Sequence, residues 1–334
     1  MNIEVIWIEV GRPVPNYAKN NFRLTSKLHS EVKQFLVTDS KSNIQSSKNF
    51  KVLLKEQLIK SDETKEFEKS RKTWDYQQEY FWKNTTSRFF YLFDLMFTFE
   101  MSKILHLETD SLLLCPSAFV PLMGNREVSL AFPMQAKGVG CASVMYVREG
   151  EGLRKFLHFV LDNWHRRNIT DMELLGEFSQ SEGVAKLPTD PGVMKGETQF
   201  IFDAGSVGRY FLGTDARNCR IPFSSRGKID AREGSIGPKL ASGLLDFNSN
   251  LSMSSIVVEA KGIKTRLANI HIHSKNISST VLGMNLRLHR GFNRRFLIFW
   301  RIGRFDRYVF MERARSFALR RFWKTTTESD RPLR

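Results

Sequence analysis

The sequence contains few cysteines and no long apolar run. Its three cysteines are isolated from one another, so the pattern indicates neither a zinc ribbon nor a disulfide framework, and a reducing compartment is expected. No uninterrupted apolar stretch approaches the roughly 18 residues that a membrane-spanning helix requires. The opening MNIEVIWIEVGRP has acidic residues inside its apolar run and no basic leader, unlike a signal peptide. These features predict a folded cytoplasmic protein.

A glycine-rich phosphate loop is also missing. The segment VGRPVP, which follows the first predicted strand, does not have the glycine spacing of a P-loop. This disfavours a nucleotidyl- or phosphotransferase that holds its phosphates in such a loop. An enzyme of that kind nevertheless stays open as an alternative interpretation of the acidic residues described below.

Positive charge is in excess and is unevenly distributed. Of the net charge of +16, residues 287–334 contribute +10, from fourteen Lys or Arg against four Asp or Glu. This aromatic-rich segment could pack on the body of the protein, lie on an anionic membrane surface or bind nucleic acid. We favour an amphipathic helix at a membrane, which would make the protein peripheral to it. Nucleic-acid binding is disfavoured because no zinc finger, helix-turn-helix or RNP motif accompanies the charge.

Strands and helices are predicted to alternate through the first 280 residues. IEVIWIEV, AKNNFRLTSKLHSEV and KQFLVTDS read as strand, helix and strand, which is typical of a parallel βαβ unit. The charged residues 41–72 are expected to form an exposed insertion. WKNTTSRFFYLFDLMFTFEMS then reads as a long, largely buried helix that leads directly into the strand KILHLE.

Two carboxylates follow that strand at once. In KILHLETDSLLL, Glu108 and Asp110 lie two residues apart where the strand ends. Ligands of open α/β sheets bind outside the carboxyl ends of the strands, and a pair of carboxylates can share one Mg²⁺ or Mn²⁺ ion. The alternative is an ordinary turn in which Asp110 caps the next segment.

A second polar group comes late in the chain. NIHIHSK places His271 and His273 on one face of a predicted strand, with Lys275 just beyond. The imidazoles could complete a Mn²⁺ shell, and the lysine could neutralise phosphate charge. Two half-buried strand histidines beside a solvated lysine explain the same pattern equally well.

Four further residues have functional and structural interpretations. Arg88 is a lone basic residue in an apolar helix, which requires an anionic partner unless it faces solvent. In TDMELL, Asp171 and Glu173 could cap a helix or act as acceptor-side carboxylates that orient or deprotonate a hydroxyl. Asp203 lies among glycines, which suit either a close approach to a ligand or simple turns.

Together these segments resemble the GT-A fold of nucleotide-sugar-dependent glycosyltransferases. The resemblance covers about residues 1–280 and depends on the order of SRFFYLFDLMFTFEMSKILHLETD and NIHIHSK. It implies an α/β fold: a single GT-A-like (Rossmann-like) domain, residues 1–285, whose mostly parallel mixed central sheet is flanked by helices. A basic amphipathic helical tail, residues 286–334, is expected to follow.

The resemblance also implies roles for individual residues. In this E-x-D variant of the D-x-D motif, Asp110 would bind Mn²⁺ or Mg²⁺, and Glu108 would contact the ion, its water or the ribose. His273, with His271 as second choice, would complete the metal shell. The other implied contacts are Lys275 with the diphosphate, Arg88 near the donor, Asp39 with the base or ribose, and Asp171 facing donor sugar and acceptor.

The resulting prediction is a metal-dependent glycosyltransferase. It would transfer a sugar from a nucleoside-diphosphate sugar, with UDP or GDP as the nucleotide, to a glycan or lipid-linked acceptor. Such transfer requires neutralisation of charge on the leaving diphosphate. Asp171 and Glu173 are candidate bases for an inverting reaction, with Asp203 in reserve. The alternatives are a basic nucleic-acid-binding protein and the nucleotidyl- or phosphotransferase named above.

Overall fold

The computed structural model describes most of the chain up to Ile277. The described residues are 3–39, 44, 46–70, 76–166, 169–191, 200–212, 231–241, 246–248, 257–260, 263–275 and 277. The predicted basic tail, residues 286–334, lies outside them. In the described part of the chain, no helix combines the length and the apolar character needed to cross a membrane.

The first elements form the predicted βαβ unit. Strand β1 (Glu4–Glu9), helix α1 (Asn16–Leu28) and strand β2 (Lys33–Thr38) follow one another, and the two strands pair in parallel. Alternate residues of β1 face opposite sides of the sheet, as the period of a strand requires. Trp7 packs on Phe22 of α1, with ring centroids 4.7 Å apart, whereas Ile6 and Ile8 pack on the other side.

The next elements extend this sheet in both directions. Strand β3 (Phe50–Leu54) joins β2, and helices α2 (Asp62–Lys69) and α3 (Tyr76–Thr98) follow. Strand β4 (Ile104–Leu107) then pairs in parallel with the other side of β1. The predicted long buried helix leading into a strand is therefore confirmed.

Residues 41–72, expected to form an exposed helix or insertion, contribute a few residues to the core. Strand β3 belongs to the central sheet, and Leu53 is only 4% exposed. Phe67 of α2 is 1% exposed because it stacks on Phe90 of α3 at a centroid distance of 4.2 Å. The many Lys, Ser and Glu residues concealed these few apolar positions, which suffice to attach the segment to the core.

The antiparallel part of the sheet lies beyond β4. Strands β6 (Leu130–Ala136), β7 (Val139–Gly140) and β8 (Val144–Val147) form it. The other elements of this stretch are β5 (Ser111–Leu113), which lies outside the central sheet, α4 (Val120–Gly124), α5 (Gly150–Asn163), α6 (Asp171–Phe178) and β9 (Val184–Leu187), which pairs in parallel with β6. The strand order is β3-β2-β1-β4-β8-β6-β7, with β9 beside β6. Helices α3, α5 and α6 cover one face and α1 covers the other. The predicted α/β class with a mostly parallel mixed sheet flanked by helices is confirmed.

The remaining elements return the chain to the turn after β4. They are β10 (Phe200–Ile201), α7 (Ser206–Leu212), α8 (Gly237–Ala241), β11 (Asp246–Asn248), β12 (Val257–Ala260), β13 (Ile263–Leu267) and β14 (Asn269–His271). Strand β14 pairs antiparallel with β5, with His271 opposite Ser111. The late strand therefore lies directly beside the acidic turn.

Candidate active site

The acidic turn lies at a topological switch point of the sheet. From β1 the chain moves outward through β2 and β3, and then returns through α3 to β4 on the opposite side of β1. Crevices for ligands form where the direction of such a sheet reverses, outside the carboxyl ends of the strands. Glu9 ends β1 and Glu108 follows β4. The hydroxyl of Thr109 donates to the Glu9 carboxylate at 2.8 Å and joins the two strand ends.

Arg88 joins two of the predicted site residues. Its guanidinium donates to Glu108 Oε1 at 2.5 Å and to Asp171 Oδ2 at 2.6 Å, and its side chain is only 12% exposed. The prediction that this arginine has an anionic partner is confirmed, and it has two. The planar guanidinium suits this arrangement because its two terminal nitrogens donate hydrogen bonds to the two carboxylates at once.

Histidine 271 lies between the two carboxylates of the E-x-D motif. His271 Nε2 is 3.0 Å from Asp110 Oδ2 and 3.3 Å from Glu108 Oε2. Burial alone would lower the pKa of His271, but the charges of Asp110 and Glu108 raise it well above its usual value. Burial alone would also raise the pKa of Asp110, but His271 and Lys275 hold it well below its usual range. The contact between His271 and Asp110 thus favours the charged form of both side chains.

The length of Glu108 has a structural reason. Its two oxygens point to different partners, Arg88 at Oε1 and His271 at Oε2. The extra methylene of glutamate, relative to the aspartate of the usual D-x-D pattern, lets one side chain serve both the helix α3 and the strand β14.

Histidine 273 occupies a different environment. Its ring stacks on His271 at a centroid distance of 4.1 Å, and its Nε2 is buried without a hydrogen-bond partner. A Cβ at Gly205 would lie 2.5 Å from that nitrogen, so the ring fits against a bare glycine backbone. Burial and the neighbouring His271 lower the pKa of His273 well below its usual value. Of the two histidines, His271 is the one described in contact with the carboxylates.

Two cationic side chains lie on either side of Tyr17. The Lys275 ammonium pairs with Asp110 and lies 5.4 Å above the Tyr17 ring. Arg12 donates to the Tyr17 hydroxyl at 2.9 Å and to Glu9 at 2.5 Å. Sequence reasoning missed Glu9, Arg12 and Tyr17. Glu9 could have been found, because it ends β1 just as Glu108 follows β4.

Asp203 is tied to the backbone. Its two oxygens accept the N–H groups of Gly205, Val207, Gly208 and His271 at 2.7 to 3.0 Å. These four bonds attach the turn before α7 to strand β14. The carboxylate thereby holds the backbone of His271 in place.

Two other predicted residues have structural contacts. Asp39 follows β2 and accepts the N–H of Gly11 at 2.6 Å, with Lys55 Nζ 3.6 Å away. Glu173 is exposed and accepts both the backbone N–H and the hydroxyl of Thr170, which completes a capping box on α6. The capping interpretation of Glu173 is therefore confirmed, whereas Asp171 is buried against Arg88.

Comparison with known proteins gives solved structures only. No family model and no curated protein matches the chain. A galactosyltransferase LgtC with donor and acceptor sugar analogues is 13% identical over 56% of this chain and 74% of its own, with a TM-score of 0.37. The glycosyltransferase GlyE of Streptococcus pneumoniae is 12% identical over 55% of this chain and 45% of its own, with a TM-score of 0.38. Mouse xyloside xylosyltransferase 1 is 8% identical over 57% of this chain and 86% of its own, with a TM-score of 0.37.

Proposed function

We propose that the protein is a metal-dependent glycosyltransferase that takes a sugar from a nucleoside-diphosphate sugar and transfers it to a glycan or lipid-linked acceptor. The observation that carries the proposal is the convergence of Glu108, Asp110, His271 and Lys275 at the switch point beside β1 and β4. A crevice with this position and this chemistry suits a ligand that carries phosphate and is bound together with a cation.

Glu108, Asp110 and His271 would hold the cation, and their donor atoms fit Mn²⁺ or Mg²⁺. Carboxylate oxygens are preferred by both ions, and imidazole is a common partner of Mn²⁺. The position of His271 supports this role, because its Nε2 lies 3.0 Å from Asp110 Oδ2 and 3.3 Å from Glu108 Oε2. A bound cation would supply positive charge to the departing diphosphate.

Lys275 and Arg12 would bind the phosphates of the donor. Both side chains reach solvent beside the buried carboxylates, with Lys275 26% and Arg12 46% exposed. Lys275 lies over the face of the Tyr17 ring and Arg12 donates to its hydroxyl, so Tyr17 contacts both cations. Asp39, at the end of the neighbouring strand β2, is proposed to contact the base or ribose.

Arg88 and Asp171 would serve the sugar side of the site. Arg88 holds Glu108 and Asp171 at fixed positions, and both of its terminal nitrogens are occupied by them, so its proposed role is to position these carboxylates rather than to meet the donor directly. Asp171 is the candidate base for an inverting reaction. Glu173 and Asp203 are weaker candidates because a helix cap and backbone N–H groups occupy their oxygens.

A membrane location is a separate part of the proposal. The basic, aromatic-rich residues 286–334 would bring the enzyme to an anionic leaflet, where a lipid-linked acceptor resides. Co-sedimentation with anionic vesicles would compare the full chain with a truncation after Leu286. Equal binding by the two proteins would contradict this location.

Thermal unfolding with nucleotides tests the donor site. We expect UDP or GDP to raise the melting temperature only when Mn²⁺ is present, because the ligand binds the native state alone. Asp110→Asn should abolish this shift. Asp62→Asn, at an exposed carboxylate of α2, is the matched control and should retain it.

The same measurement separates the alternatives. Absence of a shift with every nucleoside diphosphate in the wild type would contradict the proposal. Salt-sensitive binding to DNA or RNA that is unaffected by Asp110→Asn would favour a nucleic-acid-binding protein instead. Where a shift is found, hydrolysis assays with a panel of nucleotide sugars identify the donor.

A further inference from the structure

Cys141 lies beside the proposed cation site and was not singled out by its sequence context. It occupies the turn between β7 and β8, is 3% exposed, and its Sγ lies 4.0 Å from His271 Nδ1. Glu108, Cys141 and His271 each have one ligand atom within 4.8 Å of the other two. Among the described residues, no other three His, Cys, Asp or Glu side chains are this close together.

The thiol is held at this position by its backbone. The N–H of Cys141 donates to the carbonyl of Pro133 on β6 at 2.9 Å. Two residues later, Ser143 donates its hydroxyl to the Asp203 carbonyl at 2.7 Å and accepts the N–H of Glu108 at 3.3 Å. The segment is thereby fixed to Glu108 directly and to His271 through Asp203, which accepts the backbone N–H of that histidine. A metal site requires this kind of rigid support.

Histidine 271 is suitably oriented to take part. Its Nδ1 lies 4.0 Å from the Cys141 thiol, and its Nε2 lies 3.0 Å from Asp110 Oδ2 and 3.3 Å from Glu108 Oε2. The imidazole ring therefore lies between the thiol and both carboxylates of the E-x-D motif.

We propose that Cys141 is a further ligand of the cation, beside Glu108, Asp110 and His271, and that the site therefore prefers thiophilic divalent cations to Mg²⁺. Thiolate and imidazole ligands favour ions such as Zn²⁺ and Co²⁺, whereas Mg²⁺ is bound almost entirely by oxygen. The inference rests on the proposed function, in which the cation assists departure of the diphosphate. It narrows the candidate ions to those that bind thiolate well.

Cobalt spectroscopy on the full chain tests the ligand directly. A Cys115→Ser/Cys219→Ser variant keeps Cys141 as its only cysteine. Titration of this variant with Co²⁺ should give a thiolate-to-cobalt charge-transfer absorption together with the visible bands of bound cobalt. Adding Cys141→Ser should remove the charge-transfer absorption and weaken Co²⁺ binding by about 10- to 100-fold, the loss found when groups that support a metal are removed. The wild type and the single Cys141→Ser variant, measured in parallel, give the same comparison without the other two substitutions.

Competition measures the preference among ions. Zn²⁺ should displace Co²⁺ at far lower concentrations than Mg²⁺ does, and Cys141→Ser should reduce this difference. Visible cobalt bands without charge-transfer absorption would overturn the thiol ligand and leave the proposed oxygen-rich site intact. Absence of any cobalt binding would overturn the cation site together with this inference. Nucleotide binding with Mn²⁺, measured separately, then decides the proposed function itself.

Discussion

Two buried aspartates hold His271 from opposite ends of the residue, and they do so with different partners. Asp110 contacts the imidazole and the Lys275 ammonium, whereas Asp203 accepts the backbone N–H of His271 and three further backbone N–H groups. Backbone N–H groups cannot leave without disturbing the fold. Cationic side chains can rotate away when another cation arrives. Burial alone would not distinguish these two carboxylates, but the nature of their partners does.

Substitution of Arg88 is expected to have the largest effect on stability, because its side chain joins Glu108 after β4 to Asp171 of α6. Arg88→Ala would leave Glu108 and Asp171 buried without their shared partner, and we expect a loss of about 3–5 kcal/mol in the free energy of unfolding. Urea unfolding provides the measurement. Arg88→Lys keeps the positive charge but loses the planar guanidinium with its two terminal nitrogens. Its free energy of unfolding should therefore lie between those of Arg88→Ala and the wild type. Stability close to wild type in Arg88→Ala would contradict a structural role for the two ion pairs of Arg88 with Glu108 and Asp171.

Asp203→Asn tests the aspartate that is hydrogen-bonded to backbone N–H groups. Its amide would retain one acceptor oxygen and direct an NH₂ group at two of the N–H donors, so we expect about 3 kcal/mol of destabilisation. Gly208→Ala should act on the same junction, because a Cβ there would overlap the carbonyl of His271. If Asp110→Asn reduced the free energy of unfolding as much as Asp203→Asn does, the distinction between the two aspartates would be lost.

Asp110→Asn tests the side-chain-bound member. We expect a loss of about 100-fold or more in metal-dependent turnover of the donor, comparable to removal of one preorganised electrostatic group from an active site. The loss of stability should be smaller than for Asp203→Asn, because His271 can release its proton and Glu108 stays beside it. Initial rates of nucleotide-sugar hydrolysis at saturating Mn²⁺ measure the effect, and full activity in this variant would contradict the assignment.

Glu173→Ala gives the smallest expected effect and separates the two acidic residues of α6. Loss of the capping box should cost about 1 kcal/mol in unfolding free energy, with the rate of transfer nearly unchanged. Asp171→Asn should instead reduce the rate strongly. A larger loss of rate in Glu173→Ala than in Asp171→Asn would reverse this assignment and make Glu173 the base.

The sequence predicted local features of the fold and site well. Hydrophobic periodicity identified β1, α1, β2, α3 and β4, because each of these elements packs with a regular apolar pattern of its own. The end of the apolar strand pattern correctly placed Glu108 and Asp110 directly after β4, beside the end of β1. The presence of a single arginine in an apolar helix correctly predicted that Arg88 pairs with an acidic side chain.

Features that depend on distant contacts could not be predicted. Residues 41–72 looked polar, yet Phe67 finds its partner on α3. The sequence could not tell which histidine reaches the carboxylates, because the ring of His273 is accommodated by Gly205, sixty-eight positions earlier. Cys141 offered no motif, since its relation to His271 depends on the pairing of β14 with β5.

That pairing also determines when the site can exist. His271 and Lys275 follow Asp110 by 161 and 165 positions, and contacts of such sequence separation form late in folding. At ordinary rates of synthesis, a ribosome needs on the order of ten seconds to add that length of chain. During this interval the acidic turn has neither of its basic partners. The contacts of Asp110 with His271 and Lys275 therefore mark a molecule whose last described strand has already docked.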